Sequence, residues 1–412
     1  MRVLLVADMR SPHSIGWADG LTNLGIETVI VSSRRLTPAQ RLALPEHVRG
    51  LIALEASDPL SRLRAFITRR RGLLNSARLL ARDRAPRPGG PAEGRPEGTG
   101  LLEFPLEMLI ARILGRRVGA LAERVRPDLI HALRIPFEGV AVSPLASRWP
   151  IAVSIWGQDL ARQASASRGL AAVTRRCLAR ARGVHADCQR DLDLAELWGA
   201  RPTSEQLVAA GNMGYDPRVF NPGDASHAGR TVVTCPRGPA PQVNYAGFLR
   251  VAARIADRFP GVEFVGVALA GNPLAESIRA NAAHPARIVL TEYLTATELA
   301  DLYRHCLAVV SPSSSDGTPI SVVTGMACGA IPLVGDIAPL RELIGDRLPN
   351  TYFDPMNDDA MERSLVSTLE LSRDDWTTAS RTAHDIATTG WSQAATQGRV
   401  REWYEAVQRS RA

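Results

Sequence analysis

The chain has 412 residues, enough for two domains of about 200 residues each rather than one core. Its composition, 45% hydrophobic and 22% charged, is that of an ordinary globular protein, and no apolar run approaches the ~18 residues of a membrane span. The net charge of +7 would suit an anionic partner, but the basic residues, all arginine, are dispersed except around residues 62–87 and aromatics are only 5%, so phosphate on a small ligand is the expected anion and nucleic acid is not an expected partner.

Residues 2–7, "RVLLVA", read as a buried strand. Asp8 interrupts the apolar stretch that a secretory signal needs, so the chain is expected in the cytoplasm. "SPHSIGWADGLTNLG" then reads as a loop leading into a helix, and "IETVIVSS" as a second strand, the building block of a parallel sheet. "VRPDLIHAL" and "WPIAVSIWG" repeat the short β-rich run. Ligands of such sheets gather at strand carboxyl ends, which puts Ser14 to Gly16, His131 and Trp156 to Asp159 along one edge. The segment at 83–100, "DRAPRPGGPAEGRPEGTG", is dense in Pro, Gly and charge and reads as a flexible loop. "DLDL" at 191–194 looks like a metal-binding Asp-x-Asp but sits in an amphipathic helical run, so a solvated face is expected and no metal site. The five cysteines never form a CxxC pair and read as small buried hydrophobes.

A Gly, Asn and Pro cluster, "GNMGYDPRVFNPG" at 211–223, marks a boundary between domains. Beyond it "TVVTCPRG", "VEFVGVALAG", "ARIVLTEYL", "LAVVSPS" and "AIPLVGD" read as strands, with "YAGFLRVAARIADRF" and "TATELADLYRHC" as helices between them. The predicted division is 1–207, 208–387, and a final helix over 388–412. That helix carries Trp391, Trp403 and Tyr404, which need a surface to bury against, and it is expected to pack back on the first domain.

The stretch with the most chemistry is "SPSSSDGTPISVVTGMACGAIPLVGD", residues 311–336. A strand ending near Val310 gives way to small residues and a helix starting near Ile320, and consecutive backbone N–H groups at a helix N-terminus make an anion site. Such a loop could cradle a diphosphate or sugar hydroxyls, because small residues let a ligand approach the backbone.

From Asp316 onward, "DGTPISVVTGMACGAIPLVGDIAPLREL" resembles the signature of the family 4 retaining glycosyltransferases of the GT-B fold. "GNMGYDPRVFNP" resembles that family's interdomain segment, and the likeness extends to "PDLIHAL", "WGQDL" and the opening strand with its Gly16 loop. The resemblance implies an α/β chain of the GT-B type, two Rossmann-like doubly wound domains facing a cleft, the first binding acceptor and the second the donor. It puts Asp316 on the donor-sugar hydroxyls and Gly317, Thr318, Pro319, Ile320 and Ser321 around sugar and phosphate. Arg237 falls on the donor diphosphate, where a guanidinium fork matches phosphate geometry. Gly16 and Leu294 join the nucleotide site, and neutral Gln242 stands near the family's second cation. Thr324 stands where a Glu binds the ribose, and one hydroxyl cannot accept the two diol hydrogen bonds that a carboxylate can. Trp156 replaces a His often found before the Gly of "WGQDL".

The expected catalytic set is Asp316, Arg237 and His131. Ser14, His131, Trp156, Asp159 and Asn212 are the expected substrate contacts. The reaction implied is metal-independent, retaining transfer of a sugar from a nucleoside diphosphate, UDP or GDP, to the hydroxyl, amine or thiol of a small molecule, as in antibiotic or other natural-product biosynthesis. No permanent cofactor and no membrane contact are expected, and a homodimer is left open. The alternative, which Thr324 and Gln242 favour, is a catalytically degenerate GT-B protein acting as the binding partner of an active transferase.

Overall fold

An apolar run buried on both faces requires helices on both sides of its sheet. β1 (Arg2–Ala7) is such a strand, with Val3 to Ala7 fully buried. In the computed structural model, which describes residues 1–55, 103–224 and 227–410, it is central to a seven-stranded parallel sheet. The order is β3 (Ile52–Glu55), β2 (Glu27–Ser32), β1, β4 (Leu129–Ala132), β5 (Ile151–Ile155), β6 (Gly183–Ala186) and β7 (Glu205–Val208). A second parallel sheet has six strands in the order β10 (Ile288–Leu290), β9 (Glu263–Gly266), β8 (Val232–Cys235), β11 (Cys306–Ser311), β12 (Ile331–Gly335) and β13 (Tyr352–Phe353). The predicted loop at 83–100 and the arginine cluster around 62–87 lie outside the described residues. Among the described residues no helix is long and apolar enough to cross a membrane, and all five cysteines are buried.

In each sheet the strand order reverses once, between β1 and β4 and between β8 and β11. A crevice opens outside the strand ends at such a reversal. The loops that follow β1 and β4 face the loops that follow β8 and β11, so the cleft combines both crevices.

The chain crosses between the sheets after β7 and returns near its end. The two crossings run side by side: Tyr215 pairs with Ser392 in a parallel bridge, the Tyr215 amide donates to Trp391 O (3.1 Å), and the Gln393 amide donates to Tyr215 O (2.9 Å). Gly214 has φ +90°, and a Cβ there would lie 2.7 Å from Ser392 O, so only glycine fits at this crossing.

The C-terminal run is two helices, Arg373–Trp391 and Gln393–Arg409. The break falls at Ser392, whose hydroxyl caps the Ala395 amide (3.2 Å). The second helix lies against the first sheet, where the Trp403 indole donates to Glu205 O at 2.9 Å and Tyr404 is fully buried.

Tyr404 changes the reading of His131. Expected in the cleft as a catalytic and substrate-binding residue, His131 is fully buried between the sheet and the last helix, with its Nδ1 2.7 Å from the Tyr404 hydroxyl and its Nε2 2.9 Å from Ser154 Oγ. His185 stands on the other side of Ser154, its Nδ1 at 2.8 Å and its Nε2 3.0 Å from Ala209 O. A carbonyl only accepts, so His185 Nε2 carries the proton and its Nδ1 accepts from Ser154. Every other link then has one direction. Trp17 Nε1 donates to Tyr404 (2.8 Å), Tyr404 donates to His131 Nδ1, and His131 Nε2 donates to Ser154.

Both imidazoles are neutral, and burial pushes His185 down to about 4 and His131 well below its ordinary value. Below pH ~6.5 the unfolded chain takes up a proton that native His185 refuses, so the stability it contributes is lost as pH falls from ~6.5 toward 4. The stability gap between wild type and His185→Gln is therefore expected to narrow by about 2 kcal/mol from pH 7 to pH 5, read by urea denaturation. In that difference the titration of groups remote from His185 cancels. A gap independent of pH would show that His185 is not held neutral.

Candidate active site

Three cavities adjoin along the cleft. The smallest, about 220 Å³, lies where the two crevices meet. Arg237, just past β8, donates from Nη2 to Asp316 Oδ2 at 2.6 Å, and the Gly317 amide donates to Asp316 Oδ1 at 3.1 Å. Burial raises the Asp316 carboxyl above its ordinary value, and the Arg237 charge pulls it partly back. The helix Ile320–Ala327 opens on this cavity without a side-chain cap, a helix end suited to a negative charge.

The first domain supplies the opposite wall. His13 packs on Trp156 with ring centres 5.1 Å apart, and burial and then Arg237 hold its imidazole below its ordinary value. Gly157 lies so close that a Cβ there would sit 2.8 Å from the Gly317 amide nitrogen, and a Cβ on Gly317 would fall 2.2 Å from Asp187 Oδ1. At Gly157 the two lips touch through backbone, so only glycine fits there, whereas Gly317 leaves room for the Asp187 carboxyl. Three hydrogen bonds tie the lips: Gln158 Nε2 to Ser315 Oγ (2.9 Å), the Thr318 hydroxyl to Asp187 O, and the Gln189 amide to the Glu342 carboxylate (2.8 Å).

A cavity of about 500 Å³ lies toward the interdomain crossings, lined by Gly16, Asn212, Tyr215, Leu294, Ser321 and Thr324 among others; it shares Ile320 with the small cavity. Here Thr324 donates its hydroxyl proton back to Ile320 O at 2.9 Å, so toward the cavity it can only accept. A third cavity, about 520 Å³, is held by the first domain between Asp8, Ser14, Phe137 and Glu138, and shares Arg134, Trp156 and Gln158 with the small one.

Of the residues expected from sequence, Arg237, Gln242, Asp316, Gly317, Thr318, Pro319, Ile320 and Trp156 line the small cavity. Gly16, Asn212, Leu294, Ser321 and Thr324 line the one beside the crossings, and Ser14 the one in the first domain. Two do not line the cleft. His131 is in the core, as described. Asp159, expected to touch substrate, is fully buried and lines none of the three; its carboxylate accepts from Arg134 Nε (2.9 Å) and the Trp156 amide (3.2 Å), and so fixes two residues that do. Asp191, expected on a solvated face, is also fully buried and paired with Arg190 at 2.8 Å.

Sequence reasoning passed over His13, Arg134 and Asp187, whereas Gln158 falls within the expected edge Trp156 to Asp159. His13 adjoins Ser14 in the loop after β1, a legible strand end that was the available signal; Asp187 directly follows β6, whose four residues carry too short a pattern to mark an edge.

Buried polar atoms without partners are rare, and each calls for an explanation. Among the described residues eleven buried side-chain N or O atoms have none, and five of them belong to residues lining these cavities: Ser14 Oγ, Trp156 Nε1, Gln158 Oε1, Asp187 Oδ1 and Ser321 Oγ. The cleft therefore holds unused hydrogen-bonding capacity along its whole length.

Residues 229–370 match the family model of the glycosyl transferases group 1. The chain superposes over 98% of its length on solved structures. One is Anabaena Alr3699/HepE in complex with UDP and glucose, at 14% identity, 98% of this chain, 100% of that chain and TM-score 0.67. Sucrose-phosphate synthase from Thermosynechococcus elongatus matches at 13% identity over 98% of each chain, TM-score 0.68. The fold is GT-B. A putative UDP-N-acetylglucosamine 2-epimerase from Listeria monocytogenes also superposes, at 12% identity, over 98% of this chain and 96% of that chain, TM-score 0.62. No curated protein matches the sequence. The group 1 match spans the second GT-B domain, including Arg237 and the whole of the 311–336 stretch.

Proposed function

We propose that this chain is a retaining glycosyltransferase that moves a sugar from a nucleoside diphosphate, UDP in first place, to a small-molecule acceptor. The observation that carries the reading is the row of three adjoining cavities, the middle one holding the Arg237–Asp316 pair and the uncapped helix end. The nucleoside occupies the cavity beside the crossings, the diphosphate and sugar the middle one, and the acceptor the cavity of the first domain. The group 1 match supports transfer chemistry, and the UDP and glucose bound by the Anabaena protein support the choice of nucleotide.

With Thr324 in place of a glutamate, the unpartnered Ser321 hydroxyl and the accepting oxygen of Thr324 share the ribose diol, while the Asp216 carboxylate that lines the same cavity is engaged by Arg218. Arg237 keeps donors free after serving Asp316 and meets the diphosphate with them. In the reaction the bond between the sugar's anomeric carbon and the phosphate oxygen breaks, and the acceptor oxygen bonds to that carbon from the same face. The leaving phosphate takes the acceptor's proton. The protein contributes position and a positive field at the departing oxygen, and the closed lips exclude water. No protein nucleophile is needed, and His131 has no part.

The test is calorimetric titration of the purified protein with UDP, GDP, ADP and dTDP, without added metal. Saturable binding of UDP, stronger than that of the other three, is the expected result. If none of the four binds, the degenerate-partner reading replaces this one.

A further inference from the structure

Among the described residues, Asp187 is the one acidic side chain that the first domain contributes to the small cavity, and it has no place in the reaction just described. Its Oδ1 is buried without a hydrogen-bond partner, and its carboxyl lies flat against Gly317, next to Asp316. The backbone on either side holds it there: Asp187 O accepts the Thr318 hydroxyl, and the Gln189 amide, two residues on, reaches the Glu342 carboxylate across the cleft. Asp191 nearby is already committed to Arg190, and Arg237 to Asp316, so neither neighbouring arginine is directed at Asp187.

We propose that Asp187 is a sugar contact supplied by the first domain, its carboxyl hydrogen-bonding a hydroxyl of the transferred sugar beside Asp316. This deepens the proposed function and rests on it. Three observations converge. The carboxyl lines the same small cavity as Asp316 and Arg237, it has an unfilled hydrogen-bonding position, and it stands at the point where a side chain on Gly317 could not fit. Burial, with Asp191 and Asp316 adding negative charge, pushes this carboxyl up to about 8. At neutral pH it carries a proton and can donate as well as accept, so it can read a hydroxyl that Asp316 leaves unpaired.

Because Asp187 belongs to one lip and Asp316 to the other, the sugar is gripped from both sides only when the lips are together. The nucleotide alone reaches neither carboxyl. Asp187 thus affects the added affinity of a nucleotide sugar over its nucleotide, and leaves nucleotide affinity untouched.

The experiment is calorimetric titration of the full chain with UDP and with UDP-glucose, in wild type, Asp187→Ala and Asp187→Asn. Asp187→Ala is expected to weaken UDP-glucose about five- to tenfold, the worth of one hydrogen bond, with UDP affinity unchanged within twofold. Asp187→Asn, which still donates and accepts, keeps most of the UDP-glucose affinity. Asp187→Leu, with the same branched skeleton but no hydrogen-bonding atom, gives the same reading as alanine if the alanine variant does not fold. Equal losses for UDP and UDP-glucose, or no loss for either, would overturn the inference while leaving the transferase reading intact. Failure of wild type to bind UDP at all would overturn the proposed function itself.

Discussion

Replacing Arg237 by alanine is expected to slow sugar transfer about 10²- to 10³-fold in kcat, the usual effect of deleting one donor aimed at a developing oxyanion. The charge on the leaving phosphate grows as the bond to the sugar breaks, so a cation fixed beside it stabilises the transition state more than the bound donor. Arg237 is fixed in this sense, since its 2.6 Å bond to Asp316 holds the guanidinium in place before any ligand arrives. Its removal also leaves the half-buried Asp316 without a counter-charge, which favours the protonated carboxyl there and weakens its hold on the sugar. Arg237→Lys should recover little, because an ammonium cannot serve carboxylate and phosphate through one planar fork. The measurement is initial rate at saturating donor with an acceptor that supports turnover, alongside the melting temperature of each variant. A kcat within about threefold of wild type, in a variant that melts normally, would show that Arg237 does not face the departing phosphate.

The second large effect is structural and lies far from the cleft. Tyr404→Phe is expected to cost about 4 kcal/mol in unfolding free energy, although it removes a single oxygen. That oxygen accepts from Trp17 and donates to His131, and each of these buried groups would be left unpaired at about 1–3 kcal/mol apiece. The ring remains, so its packing against Trp403 survives and the loss reports the hydrogen bonds alone. Urea denaturation of the two proteins at pH 7 gives the difference. A loss under about 1 kcal/mol would mean that the directed chain from Trp17 to Ala209 is not formed as the donors and acceptors require.

The same chain of bonds marks a boundary of what the sequence could convey. The central strands were legible because a continuous apolar run such as Val3 to Ala7 or Leu307 to Val310 admits few alternatives. β6 was not, since four residues interrupted by His185 carry too short a pattern, and the two residues of β13 carry none. The 311–319 loop was legible from its own small residues and the helix that follows. His131 was misread for a different reason. A histidine ending a strand looks the same whether it meets solvent or a second layer, and here the second layer arrives 273 residues later with Tyr404. Asp187 was passed over for a similar cause, as the Thr318 that fixes it lies 131 residues away. Contacts within one strand–loop–helix unit could be read locally, whereas pairings between units became visible only once the sheets were assembled.

The paired crossings at Tyr215 and Ser392 have a mechanical meaning. Both lie at one side of the molecule, and the cavity assigned to the nucleoside borders them through Gly214, Tyr215 and Gln393. In a rotation of the two sheets about these crossings, a ligand there would sit beside the axis, where distances change least. The lips at Gly157, Asp187 and Gly317 line the next cavity, which does not border the crossings, so the same rotation would part them more. Under the proposed function, loading and selection would thereby be divided by radius, the base near the axis and the sugar farther from it.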